Sequence, residues 1–76
     1  MAPEISSAAA IDTARRALVG KINLPADTPA TTERRGGHWV VTFPLTLPPG
    51  TKGADYYARV TIDATSGEVV EILGGA

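Results

Sequence analysis

The side chains able to do chemistry are few, and their spacing limits what they can do. The chain has no cysteine, and one histidine, His38, is shared among Ser6, Ser7 and Ser66. A nucleophile needs a base within hydrogen-bond reach and a third group to orient that base. Ser66 falls in Thr65-Ser66-Gly67, a turn sequence that explains the serine by itself, so a catalytic serine–histidine pair is not expected. Asp63 and Glu71, with Glu33 in the neighbourhood, are the candidate carboxylate pair. General acid–base work needs a cleft that separates two pKa values. A strand face carrying these residues offers cross-strand charge pairing instead.

His38 adjoins Gly36-Gly37 and has Asp63 as its nearest carboxylate in the expected strand register. It reads as an exposed strand-end histidine rather than a metal ligand or proton shuttle. The spacing Asp63-x-Thr65-x-Gly67 is superficially that of a calcium loop, but the further carboxylates and the bidentate glutamate are missing. Gly50-Thr51-Lys52-Gly53 lacks the Walker spacing and a following helix. Arg35-Gly36-Gly37 is a single copy, not an RNA-binding repeat. No catalytic residue, metal or cofactor is expected.

The elements that position these residues follow from hydrophobic period and turn chemistry. Ser6 or Ser7 is a suitable N-cap for a helix over Ala8–Val19. Ile11, Ala14, Leu18 and Ile22 form its narrow apolar stripe, with Asp12 toward the positive end of the dipole and Gly20 just past the end. A loop with Pro25 and Pro29 follows. Four alternating segments come next, Ala30–Arg35, His38–Leu47, Asp55–Ala64 and Glu68–Leu73.

Gly36-Gly37 suits a two-residue hairpin loop and Thr65-Ser66-Gly67 a three-residue one. The first pairs Arg35 with His38 and Arg34 with Trp39, and would end where Pro29 faces Pro44, because neither proline has an amide to donate. The second pairs Ala64 with Glu68, Ile62 with Val70 and Val60 with Ile72. Matching by burial sets Val41 beside Ile62 and Phe43 beside Val60. One face then carries Trp39, Val41, Phe43, Leu45, Leu47, Tyr56, Ala58, Val60, Ile62, Val70 and Ile72. The other carries His38, Val40, Thr42, Pro44, Thr46, Tyr57, Arg59, Thr61, Asp63, Val69, Glu71 and Leu73. A one-residue slip would exchange the two sets, so the pattern specifies register.

These readings predict an α+β domain, one N-terminal helix packed on a three- to four-stranded antiparallel meander over residues 6–76, with residues 1–5 a disordered lead-in. The helix must bury its stripe, and the apolar sheet face is its one large partner.

With 76 residues the chain is one domain, burying only about 60–65% of its unfolded surface. Seven basic and eight acidic residues give a net charge of -1, with no basic stripe to suggest nucleic acid. No apolar stretch nears the roughly 20 residues of a membrane span, and no signal peptide is visible.

The order of elements carries a resemblance. An alanine-rich helix precedes Trp39-x-Val41-x-Phe43. Then Tyr57-x-Arg59-Val60-x-Ile62-Asp63 runs into Ala64-Thr65-Ser66-Gly67-Glu68-Val69-Val70. From Ser6 to Leu73 this resembles the PepSY domain, whose last hairpin typically reads valine or isoleucine, Asp, two residues, then small-Gly-Glu-Val. The Pro25–Pro29 and Pro48–Ala54 segments are not part of the likeness. The resemblance implies a cystatin-like helix across a sheet. It also implies a non-catalytic module, often bacterial and secreted or periplasmic, that in some members restrains peptidases. Small immunity proteins that neutralise a toxin share the outline and are the competing interaction reading. A small enzyme or ligand carrier using His38, Asp63 and Tyr57 is the third.

A protein or peptide partner is therefore expected. The binding residues would be Val40, Tyr57, Arg59, Val69, Glu71 and Leu73, on the open sheet face and the last strand. That strand, if it lies at the edge, could also pair with a second copy to make a homodimer.

Overall fold

A computed structural model describes residues 3–22, 24–25, 27–45, 48–53 and 55–75. Thr46, Leu47 and Ala54, assigned above to strand or loop, lie outside the described residues. One helix, α1 (Ser7–Leu18), precedes four strands, β1 (Thr31–Arg35), β2 (His38–Pro44), β3 (Tyr56–Asp63) and β4 (Val69–Gly74). The strands form one open antiparallel sheet in the order β1-β2-β3-β4. The helix lies across β2, β3 and β4.

Ser6 caps the helix. Its backbone is extended, and its hydroxyl oxygen accepts from the Ala9 N–H at 3.1 Å, filling one of the vacant donors of the first turn. Gly20, at φ +79, lets the chain turn back after the Val19 cap, and Lys21 and Ile22 donate to the Leu18 carbonyl. The buried stripe is Ala10, Ala14 and Leu18, with Ile11 only half-buried. The centre is therefore one residue from the expected one, because two alanines let the helix backbone approach the sheet closely. Asp12 lies beyond the first turn and pairs with Arg16 at 2.9 Å. Arg15 donates to the Thr28 carbonyl and lies 5.2 Å from the Phe43 ring centre, tying the loop after the helix to the core.

The core is Ala10, Ala14, Leu18, Val41, Phe43, Ala58, Val60 and Ile62. Trp39 and Ile72 pack half-buried at its margin. The expected packing of one apolar sheet face against the helix is therefore observed for the centre of the sheet.

The registers depart from expectation in three places, each with a physical reason. Arg35↔His38 and Arg34↔Trp39 pair across Gly36-Gly37 as read from the turn. Between β2 and β3, however, Val41 faces Val60, Phe43 faces Ala58 and Trp39 faces Ile62. This is a slide of two residues, which leaves every side chain on its assigned face and so is invisible to a burial pattern. A bond from the Ala64 N–H to the Gly37 carbonyl, 2.9 Å, closes the row beyond His38↔Asp63.

The last hairpin has a four-residue loop, Ala64–Gly67. Gly67 N–H donates to Asp63 O, and Asp63 N–H donates to Glu68 O. Ile62 consequently faces Val69, not Val70, and a bulge between Thr61 and Ile62 restores Val60↔Ile72. Val70, expected in the core, is 57% exposed.

The third departure is a bulge between Phe43 and Pro44, opposite Ala58 and Tyr56. A bulge interrupts strict alternation. Tyr57 packs against the core cluster, while Tyr56 lies under the Arg59 guanidinium at 4.8 Å. The two tyrosines have exchanged their expected faces. The first hairpin ends at Thr31↔Thr42, before a Pro29–Pro44 row forms.

Candidate binding surface on the open face and the outer edge

The face of the sheet away from the helix is a shallow mixed surface. Cross-strand rows place Glu33, Val40, Thr61 and Glu71 side by side, and next to them Thr42, Arg59 and Leu73. Together with Arg35 these residues line a concavity of about 240 Å³. The twist of neighbouring strands makes such a face slightly saddle-shaped.

Its two arginines are already engaged. Arg35 Nε pairs with Glu33 at 3.0 Å. Arg59 Nε donates to Thr42 Oγ1 at 3.3 Å while its guanidinium covers the Tyr56 ring. Among the described residues no salt bridge reaches Glu68 or Glu71.

Of the six residues expected to bind, Val40, Arg59, Glu71 and Leu73 come together in this concavity. Tyr57 does not. It lines a separate depression with Pro25, Thr28, Pro29, Pro44 and Leu45, because the bulge turned it away. Val69 faces Ile62 across the ladder rather than lying on the Glu71–Leu73 side. Glu33, Arg35, Thr42 and Thr61 also line the concavity and were not among the six, and Tyr56, expected on the helix side, lies instead against Arg59. The signal for the change at Tyr56 was present in Pro44, whose missing amide favours a break in the ladder.

Asp63 and Ser66, weighed above for chemistry, have structural tasks. Asp63 Oδ1 accepts from the N–H groups of Thr65 and Ser66, both at 2.8 Å. These bonds, reinforced by the Ser66 hydroxyl and by the charge of His38 across the row, hold its carboxyl below the ordinary range. Ser66 Oγ also accepts from the Glu68 N–H at 3.2 Å. Among the described residues no three His, Cys, Asp or Glu side chains gather as a metal site.

The segment before the helix, read above as a lead-in, is stitched to the sheet at Glu4 and Ile5. Ile5 N–H donates to the Ala64 carbonyl at 2.8 Å, and its own carbonyl accepts from Trp39 Nε1 at 3.0 Å. Arg34 bonds the Glu4 carboxylate and, at 2.8 Å, the Gly36 carbonyl, with its guanidinium 6.0 Å from the Trp39 ring centre. That hydrogen-bonded pairing lowers the Glu4 pKa and raises that of Arg34.

The two sheet edges differ in kind. On β1 every residue but Thr32 is exposed, and the strand carries Glu33, Arg34 and Arg35. On β4 the exposed large hydrophobic side chains are Val69, Val70 and Leu73, at 38%, 57% and 42%, and Glu71 is the strand's one charged residue. Charged side chains protect an edge from pairing with other chains, and apolar ones do not.

The outward backbone groups of β4 can be identified. Gly75 N–H donates to the Tyr57 carbonyl, 3.0 Å, in the same register as Ala58↔Gly74 and Val60↔Ile72. Antiparallel ladders alternate bonded and non-bonded rows. Leu73 and Glu71 therefore bond inward to β3, and the N–H and C=O of Ile72 and Gly74 point outward. Gly75 is confined to glycine by contact, since a Cβ there would lie 1.9 Å from the Tyr56 carbonyl oxygen.

Compared with known proteins, the chain matches no family, no curated protein and no solved structure. Among the described residues, no helix is long and apolar enough to cross a membrane.

Proposed function

We propose that this domain is a binding module that takes up an extended segment of another protein along β4. The observation that carries this reading is the contrast between the edges. β1 is closed by charge, while β4 offers outward backbone groups beside exposed Val70 and Leu73. Strand addition derives affinity from main-chain bonds and selectivity from alternate side chains. The open face supplies the second part, through Leu73, Glu71 and the Arg59–Tyr56 stack. The PepSY-like order of elements makes a peptidase, or the chain a peptidase would cut, the first partner class to examine.

The test is binding of a labelled peptide of alternating valine and threonine, followed by fluorescence anisotropy. Leu73→Lys and Val70→Lys should each weaken binding about tenfold, the loss expected when a buried contact residue is removed. Both should leave the melting temperature near that of the parent, because the two side chains are exposed. Val19→Lys, at a position 78% exposed beside the helix end, should bind as the parent does. Binding lost in Val19→Lys and retained in the β4 variants would move the site to the groove formed by Leu18, Ile22 and Leu24.

A further inference from the structure

We infer that the segment taken up by β4 carries a basic residue opposite Glu71 and apolar residues opposite Ile72 and Leu73. This rests on the strand-addition reading above and adds the chemistry of the partner. Because Ile72 and Gly74 present the outward N–H and C=O groups, a new strand forms its bonded row at Ile72. Glu71 and Leu73 then fall on non-bonded rows, where facing residues approach most closely, at about 4.5 Å between Cα atoms. The partner residue opposite Glu71 is thereby the one most strongly governed by side-chain chemistry.

Among the described residues no cation forms a salt bridge with the carboxylate at that place. Its ladder neighbour is Thr61. The cations of the open face are held elsewhere, Arg35 by Glu33 and Arg59 by Thr42 and Tyr56. Glu68, further along the same edge, also has no salt bridge among the described residues, so the outer side of this face is negative at both places. Opposite charges across a ladder attract and like charges repel.

The next two positions along the strand are set in the same way. A residue opposite Leu73 meets an exposed leucine, and one opposite Ile72 continues the helix side of the sheet, where Ile72 packs against the core. Both favour apolar side chains.

A second copy of this chain satisfies the edge less well. Residues 69–74 contain no lysine or arginine. Antiparallel self-pairing centred on Glu71 sets that carboxylate against its own image. Centred on Ile72, it sets Glu71 against a leucine. Neither arrangement brings a cation.

The probes are two capped peptides, Thr-Val-Val-Lys-Val-Val-Thr and the same sequence with glutamate at the centre. They are titrated into the full chain at low salt while backbone amide shifts are followed. The lysine peptide should bind about fivefold more tightly than the glutamate peptide, as expected for exchanging an attractive cross-strand pair for a repulsive one. The amides of Ile72 and Gly74 should shift most. Glu71→Lys should reverse the preference.

Equal binding of the two peptides at Ile72 and Gly74 would overturn the charge assignment while leaving strand addition standing. An unreversed preference in Glu71→Lys would overturn it too. No shift at Ile72 or Gly74 with either peptide would remove both. Sedimentation showing a dimer that excludes the peptides would replace the basic partner with a second copy.

Discussion

At the scale of single residues, Phe43 and Asp63 carry different kinds of stability. Phe43 is fully buried among Val41, Ala58 and Val60 in the core, beneath Arg15. Removing its ring leaves a cavity that a small domain can close only in part. Phe43→Ala should therefore cost about 3–5 kcal/mol in chemical denaturation, enough to unfold much of a chain of this size. A cooperative transition close to that of the parent would show that Phe43 is not central. Trp39, equally prominent in the sequence, is only half-buried, and its main specific contribution is the bond to Ile5.

Asp63 acts through protonation. The Ser66 and Thr65 amides lower its pKa in the folded chain. The stability it contributes is therefore complete above the ordinary carboxylate pKa, and it is lost as pH falls through the lower folded value. Asp63→Asn keeps a side-chain oxygen for those amides but does not titrate. Melting temperature should therefore fall more steeply for the parent than for Asp63→Asn below about pH 4. Parallel curves would show that the turn bonds do not depend on the charge.

At the scale of elements, turns decide more than strands do. Gly67 has φ +77, a left-handed conformation that ends the Ala64–Gly67 loop. An added Cβ would meet only Ile5 Cγ2 at 3.7 Å, an ordinary contact. The penalty of Gly67→Ala is thus one of backbone conformation, about 1 kcal/mol, measured as a lower midpoint in urea. No change would mean that the loop adopts another turn.

The same element shows what the sequence reveals and what it hides. The N-cap, the Gly36-Gly37 turn and the two faces at the centre of the sheet were legible, because each depends on local chemistry or on a period of two. The two bulges were not, because each inserts one residue into a pattern that still alternates on both sides. The pairing of Val41 with Val60 was hidden for a related reason, since a slide of two residues preserves every face. Of the residues expected on the open face, Val40, Arg59, Glu71 and Leu73 were legible as a group, and Tyr57 was misplaced by a bulge that only Pro44 announced. The close approach of Gly75 to Tyr56 is long-range and left no local signal.

At the scale of the whole molecule, the sheet is a meander with its helix on one side and two unlike edges. The lead-in bonds to Ala64, Trp39 and Arg34. Arg34 is thereby occupied on β1, so the charged edge is also a braced one. The β4 edge has no such brace among the described residues. Its turn and its Gly75 anchor hold it in register with β3, and the N–H and C=O groups of Ile72 and Gly74 point away from the sheet.

Amide hydrogen exchange at Ile72 and Gly74, with and without the lysine-centred peptide, tests this most directly. In the free chain these two amides should exchange faster than those of Glu71 and Leu73, which bond to β3. Addition of the peptide should slow Ile72 and Gly74 and leave Thr32 and Arg34 on β1 unchanged. Slowing at Thr32 and Arg34 instead, or at neither edge, would contradict the assignment of β4 as the docking strand.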